Sequence, residues 1–127
     1  MNPEEFLKNG KVIVQKPVFD VVKSKRTYRN AFTNIIDQNE TTVIIDQAKY
    51  DRKDAVEVEP DWKLLTFDMV LPFELVGFLA VVAKVLADAG ISIFAVSAYS
   101  TDHILIKKDT LSRAKKVLEN LGCVVEG

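Results

Sequence analysis

The sequence contains one cysteine, one histidine and no long hydrophobic run. The single cysteine, Cys123, excludes an intrachain disulfide and is typical of a reducing compartment. The longest apolar stretch, residues 75–89, is interrupted by Lys84 and Asp88 and is too short to cross a bilayer. Residues 1–5 are acidic and lack the apolar run of a signal peptide, so we expect a cytoplasmic protein without a membrane anchor.

A strong charge of one sign is also absent. The 127 residues carry a net charge of −1, so no overall field attracts nucleic acid or an anionic membrane. The hydrophobic and charged fractions, 48% and 28%, are those of a folded soluble protein. The length fits one ordinary domain or two very small ones.

Catalytic and metal-binding motifs are missing as well. The sequence has no G-x-S-x-G, H-E-x-x-H, C-x-x-C, P-loop or G-x-G-x-x-G pattern. His103 has no second histidine, and Cys123 is distant, so a zinc site within the chain is not expected. Cys123 also follows a helix end, which disfavours a thiolate. We therefore expect no enzyme activity, no metal and no cofactor.

The second half of the chain alternates between strand and helix patterns. Apolar residues recur at helical spacing before Gly90, and residues 91–98 are apolar on both faces, which is typical of a central strand. The predicted elements are strand 62–70, helix 75–89, strand 91–98, strand 104–108, a helix capped by Asp109 or Thr110 and ended by Gly122, and strand 123–125. This order predicts an α+β fold with a ferredoxin-like βαββαβ unit.

The first half is strand-rich. A short helix is expected from Asn2-Pro3 to near Gly10, because asparagine caps well and proline suits the first turn. Strands are expected at 11–15, 18–24, 32–36 and 41–46. The organisation predicted is a small strand-rich unit (1–50), a charged solvated connector (51–61) and the ferredoxin-like unit (62–127). An acidic metal site in the connector is disfavoured, since its carboxylates are interleaved with Arg and Lys.

Residues 64–107, LLTFDMVLPFELVGFLAVVAKVLADAGISIFAVSAYSTDHILIK, resemble the ACT domain, a small regulatory module of biosynthetic enzymes. The resemblance rests on Asp68, Gly77, the segment AGISIF at 89–94, and the Ser-x-Tyr-x-Thr-Asp pattern from Ser97 to Asp102. The chain is similar to short stand-alone proteins with two ACT-like units, among them arginine-sensor-like and aspartokinase-type regulatory ACT domains. The match extends weakly to 32–46, as an abbreviated first ACT-like unit packed with the second. Departures occur at Ala98, Ser100 and His103, where the family often has Thr, Asp and Tyr.

The resemblance implies a non-catalytic regulatory protein that binds an amino acid and acts on a regulated enzyme. ACT domains hold their ligand between two units, at the loop from the first strand to the first helix. The candidate ligand-binding residues are Asp68, Leu75, Val76, Gly77, Phe94 and Ser97. A helix N-terminus at Gly77 favours a carboxylate, and Asp68 suits an ammonium group. The alternative is that Asp68 only caps and Gly77 only packs.

The polar insert 97–103, SAYSTDH, is expected to be a hairpin. Ser97 continues the face of Ile91, Ile93 and Ala95, so we expect its hydroxyl to be buried and to contact the ligand. The tip, Thr101-Asp102, is expected to serve the turn, away from the site. His103 is expected to be structural.

Other functions stay open from the sequence. An oligomerisation scaffold with a degenerate pocket is one, and we expect a homodimer because the sheets need cover. An RNA-binding ferredoxin-like module is another, but residues 104–106 are aliphatic where such modules carry aromatics. The basic segment 23–29 is interpreted as a solvated loop.

Overall fold

Three α-helices, two 3-10 turns and seven strands make up the chain, and the computed structural model describes all 127 residues. The elements are α1 (Pro3–Leu7), β1 (Lys11–Ser24), β2 (Thr33–Ile36), β3 (Thr41–Asp46), β4 (Ala55–Phe67), α2 (Phe78–Asp88), β5 (Phe94–Ser97), β6 (Asp102–Lys107), α3 (Leu111–Asn120) and β7 (Val124–Glu126), with 3-10 turns at Arg52–Asp54 and Lys108–Thr110. They form two compact units. The discontinuous unit comprises Met1–Lys16 and Lys63–Gly127, and the inserted unit comprises Pro17–Trp62.

The discontinuous unit contains the predicted order β4-α2-β5-β6-α3-β7, which confirms the ferredoxin-like βαββαβ pattern and the α+β class. Its strands lie in the order β7-β1-β4-β6-β5. Residues 11–13 of β1 pair in parallel with 124–126 of β7, so β1 separates β7 from β4. Local sequence patterns do not reveal this placement of β1.

The core of the discontinuous unit lies between its sheet and its helices. In α2 the buried residues Phe78, Val82 and Leu86 recur at a spacing of four, and Phe78 meets Phe67 of β4 edge to face. α3 contributes Ala114 and Leu118 to the same core. Thr110 is the N-cap residue of α3, one of the two predicted, but its side chain does not cap the helix. Thr110 Oγ1 instead donates to the carbonyl of Lys107, 2.7 Å away.

The inserted unit is built from strands and has no α-helix. β3 pairs antiparallel with both β1 and β2, and the strand order is β2-β3-β1-β4. Its core is formed by Val22, Tyr28, Val43 and Ile45. The predicted strands at 32–36 and 41–46 are confirmed to within one residue, and the predicted short helix is present but ends at Leu7, three residues before Gly10.

Three sequence predictions are wrong. The solvated connector is a 3-10 turn followed by the first half of the thirteen-residue strand β4. The strands at 11–15 and 18–24 are one strand, which continues through Pro17. The central strand at 91–98 is the four-residue strand β5, which pairs only with β6 and lies at the sheet edge. The apolar run predicts a longer strand because it includes Ile91, which is buried in the loop before β5.

The compact units do not follow the predicted bounds 1–50, 51–61 and 62–127. β1 and β4 each contribute residues to both units, so the divisions fall within strands, at Lys16 and Trp62. A change of composition marks a linker, but it does not mark a division that falls inside a continuous strand.

Candidate functional site

A cavity of about 200 Å³ lies in the discontinuous unit, where the loop after β4 meets the tip of the β5–β6 hairpin. Its lining residues are Leu71, Pro72, Phe73, Leu75, Phe78, Ser97, Ala98, Tyr99, Ser100, Thr101 and Asp102. The loop side is apolar, whereas the hairpin side carries hydroxyl groups and a carboxylate. A cavity of this character accommodates a small molecule that has both an apolar and a polar part.

Backbone bonds hold the loop against the hairpin. The N–H of Leu71 donates to the carbonyl of Ser100 at 2.7 Å, and the N–H of Ala98 donates to the carbonyl of Thr101 at 2.9 Å to close the hairpin turn. The rings of Phe73 and Tyr99 meet edge to face with centroids 4.5 Å apart. The two walls of the cavity are therefore joined by a backbone hydrogen bond and a ring contact.

Four large apolar or aromatic side chains beside the cavity face solvent. Val70, Phe73, Val76 and Tyr99, which we call the apolar rim, are between 71% and 81% exposed. Single exposed apolar residues are ordinary, but a group of them beside a cavity is typical of a binding surface. The core of the unit is built from other residues, so the apolar rim has no evident role in folding.

The charge of the cavity is set by Asp102, the only ionisable carboxylate or basic group in its lining. Asp102 pairs with Ser97 across the antiparallel register of β5 and β6. Because no lysine or arginine lines the cavity, its side chains favour a cationic or neutral group over an anion.

The first turn of α2 supplies a complementary feature. Gly77, with φ of +87°, forms the N-cap, and no side chain caps the helix. The next residue, Phe78, lines the cavity. Backbone N–H groups at an uncapped helix N-terminus attract a carboxylate. Phe78, in the first turn of α2, and Asp102 therefore line the same cavity.

The structure brings together only part of the predicted site. Leu75 and Ser97 line the cavity, Gly77 adjoins its wall, and Val76 belongs to the apolar rim. Phe94 does not line the cavity, because strand residues three apart point to opposite faces and Ser97 occupies the cavity face. The predicted burial of Ser97 is wrong, since it is exposed on the edge strand.

Asp68 lies outside the cavity lining and is already partnered. Its N–H donates to the carbonyl of Lys11 at 2.8 Å, and its half-exposed carboxylate lies 4.0 Å from Lys11 Nζ. Lys11 Nζ lies closer, 3.1 Å, to Glu126. Lys11, at the start of β1, therefore lies between Asp68 and Glu126 of β7.

Sequence reasoning missed the hairpin tip and the aromatic pair. Thr101 and Asp102 line the same cavity as Ser97, whereas the sequence predicts a tip that lies away from the site. The concentration of polar residues in SAYSTDH was the available signal. Phe73 had no such signal, because an aromatic residue in a loop does not reveal whether it is exposed.

His103 and Cys123 lie outside the cavity lining. His103 Nδ1 lies 2.9 Å from Thr66 Oγ1, and partial burial lowers the pKa of His103. Burial raises the pKa of the Cys123 thiol to about 11. No group of three or more His, Cys, Asp or Glu side chains is placed to hold a metal ion, and no helix is long and apolar enough to span a membrane.

Comparison with known proteins relates this fold to a family. A family profile for the ACT domain matches residues 57–120, half of the chain. The chain belongs to the ACT domain family. ACT domains are regulatory rather than catalytic modules, as the sequence resemblance implied. No curated protein matches the sequence.

Solved structures agree with the family assignment. A structural-genomics protein from Agobacterium tumefaciens has a TM-score of 0.80 at 20% identity, with 94% of each chain covered. A structure of aspartokinase alpha and beta subunits has a TM-score of 0.64 at 15% identity, covering 87% of this chain and 96% of that one. A putative C-terminal regulatory domain of aspartate kinase from Porphyromonas gingivalis has a TM-score of 0.52 at 16% identity, covering 89% and 91%. At these identities the neighbours establish the fold.

Proposed function

We propose that this protein is a non-catalytic regulatory protein that binds an amino acid in the cavity between the loop after β4 and the β5–β6 hairpin. The single observation that carries the proposal is that one cavity is lined both by Asp102 and by Phe78, the first residue of a helix whose N-terminus has no side-chain cap. A zwitterion needs both elements, since its carboxylate and ammonium groups are stabilised by opposite charges.

In this proposal each group has one role. The first turn of α2 after Gly77 receives the α-carboxylate, and Asp102 receives the ammonium group. Ser97 and Thr101 supply hydroxyl groups for further hydrogen bonds, and Leu75 contacts the apolar part of the ligand. Asp68 and Phe94 have no role in this arrangement.

The apolar rim and the open edge of β5 support a homodimer in which a second unit covers the ligand. An unpaired strand edge offers backbone donors and acceptors, and exposed apolar side chains gain stability from burial. The inserted unit, with its four strands, serves as an abbreviated ACT-like unit in this proposal. The regulated partner is an enzyme, in the cytoplasm.

A thermal-shift screen with the standard amino acids tests the proposal. A ligand at a hundred times its dissociation constant should stabilise the protein by about 2.7 kcal/mol. Calorimetry on Asp102→Asn should then show affinity lower by tenfold or more, because a charged hydrogen bond is lost. Asp109→Asn, an exposed carboxylate outside the cavity lining, is the matched control and should bind as the wild type does.

Two outcomes would contradict amino-acid binding. One is a screen in which no amino acid raises the melting temperature. The other is equal affinity in the Asp102 and Asp109 variants. A stable dimer by sedimentation together with a negative screen would favour the oligomerisation scaffold, an alternative that the apolar rim also supports.

A further inference from the structure

Positive charge is concentrated on two loops of the inserted unit. Residues 25–30 and 49–54, which we call the basic platform, carry six of the seventeen basic residues of a chain whose net charge is −1. The cations of the platform are Lys25, Arg26, Arg29, Lys49, Arg52 and Lys53. None of these residues lines the candidate ligand cavity.

Hydrogen bonds bring the two loops together. The N–H of Lys25 donates to the carbonyl of Asp54 at 2.7 Å. Asn30 Nδ2 donates to the carbonyl of Lys49 at 3.2 Å, and the N–H of Asp51 donates to the hydroxyl of Tyr28 at 3.0 Å. Cations that are separated in the sequence therefore share one surface.

The two carboxylates of the platform are engaged internally. Asp54 Oδ2 accepts hydrogen bonds from the hydroxyl of Tyr28 and from Arg26 Nε, the latter at 2.9 Å. Asp51 Oδ1 accepts the N–H of Lys53 at 2.9 Å and caps the 3-10 turn. Four cations of the platform are exposed and make no ion pair within the chain: Lys25, Arg29, Lys49 and Lys53.

The second loop is anchored by a buried carboxylate. Asp20, which is 0% exposed, accepts hydrogen bonds from the hydroxyl of Tyr50 at 2.6 Å and from Gln47 Nε2 at 3.1 Å. Arg52 Nη1 lies 3.3 Å from the same carboxylate. The backbone that displays Lys49 and Lys53 is therefore tied to β1.

The first loop is anchored by Tyr28, which is 6% exposed. Its N–H donates to Asn34 Oδ1 at 2.8 Å, and its carbonyl accepts Asn34 Nδ2 at 2.9 Å. A partner that binds the platform consequently has to order long side chains but not backbone, which lowers the entropic cost of binding.

The chemistry of the platform selects among anionic partners. Tyr28 is buried with Arg26 over its ring, and Arg52 lies over the ring of the half-buried Tyr50, so neither ring is free for base stacking. The platform has no exposed aliphatic side chain to insert into a lipid surface. We propose that the basic platform is a docking surface for an acidic segment of a protein partner.

Binding of a fluorescent oligo-glutamate peptide to the whole protein tests the proposal. The variant Lys25→Gln/Lys49→Gln/Lys53→Gln should weaken binding about tenfold, since each exposed ion pair contributes a fraction of a kcal/mol. The matched control is Lys8→Gln/Lys16→Gln/Lys116→Gln, which removes three exposed lysines elsewhere. It should change the affinity less than twofold. Circular dichroism of both variants verifies that they fold.

Two outcomes would overturn the proposal. Equal weakening in the two triple variants would mean that the peptide responds only to total charge. Tighter binding of a single-stranded oligonucleotide than of a peptide with the same charge, at the same ionic strength, would identify the surface as one for nucleic acid. Loss of peptide binding in the platform variant alone, with the oligonucleotide bound more weakly, supports an acidic protein segment.

Discussion

The basic platform of the inserted unit and the cavity region of the discontinuous unit use their side chains in opposite ways. The platform turns its aromatic rings inward and bonds its carboxylates to its own backbone and side chains. The cavity region exposes its aromatic rings and leaves the N-terminus of α2 without a side-chain cap. Internal hydrogen bonds such as those of the platform stabilise a fold. Exposed apolar side chains contribute little stability until another surface buries them.

The largest expected effect is on the stability that the hydrogen bonds and ion pair of Asp20 give to the loop 49–54. Asp20→Ala leaves Tyr50 and Gln47 without a buried acceptor and removes the partner of Arg52, so we expect a loss of about 3 kcal/mol in the free energy of unfolding. Urea denaturation measures it. Glu57→Ala, an exposed carboxylate of the same unit, is the control and should change stability by less than about 0.5 kcal/mol. Similar losses in both variants would contradict the anchoring role of Asp20.

A smaller effect, on binding and not on folding, is expected at the apolar rim. Phe73→Ser/Tyr99→Ser should lower the affinity for the amino acid found by the screen about tenfold, because contact with an aromatic pair contributes roughly 1 kcal/mol. The free energy of unfolding should change by less than about 1 kcal/mol, since both side chains are exposed. Ile36→Ser/Val56→Ser, which alters exposed apolar residues of the inserted unit, should leave binding unchanged. A large loss of stability in the rim variant would show that the rim serves the fold.

A third expectation concerns alkaline pH. Burial, together with the hydrogen bond to Asp20, raises the pKa of Tyr50 from 10.0 to about 12. The folded state therefore holds this proton more tightly than the unfolded state does. The associated stability is present below pH 10 and is lost as pH rises toward 12.

Comparison of stability curves isolates this contribution. The difference in unfolding free energy between the wild type and Tyr50→Phe should shrink from pH 10 to pH 12. Tyr99→Phe, at an exposed ring, provides the reference curve. Parallel curves for the wild type and the Tyr50 variant would contradict the coupling of Tyr50 to Asp20.

The smallest effect is a shift in one titration. The imidazole of His103 should titrate below 6.5 by NMR, because burial lowers its pKa while the charge of Asp102 raises it. Asp102→Asn should move the midpoint lower still, and Asp109→Asn should not move it. An upward shift in the Asp102 variant would exclude a negative charge beside the imidazole.

Much of the discontinuous unit could be predicted from local patterns. The apolar spacing predicts a helix over 75–89, and the structure has it at Phe78–Asp88. Gly77 and Gly90, which bound it, both adopt positive φ. The position of β1 could not be predicted, because pairing of Lys11 with Val124 leaves no trace in either segment alone. The sequence predicts a connector in place of the first half of β4, because the charges around Val56 and Val58 conceal the alternation of that strand.

Only part of the candidate site follows from the sequence, because local patterns do not show where the chain reverses. Leu75 and Ser97 follow from the sequence and line the cavity. A count of residues along an extended strand predicts that Asp102 lies away from the cavity. The chain folds back at the hairpin, however, so Ser97 and Asp102 are direct partners. Distance along a strand measures separation only where the strand does not reverse.

The parallel pairing of β1 with β7 also has a consequence for biosynthesis. A nascent chain presents residues 11–13 to solvent long before residues 124–126 leave the ribosome, whereas the inserted unit is one continuous stretch. Closing a loop of nearly the whole chain carries a large entropic cost. Because β4 is already available to pair with β1, we expect ribosome-bound chains arrested before β7 to resist protease over 17–62 and to lack only the β7 side of the β1 pairing. The discontinuous unit, with its cavity, would then be completed only after translation has passed β7.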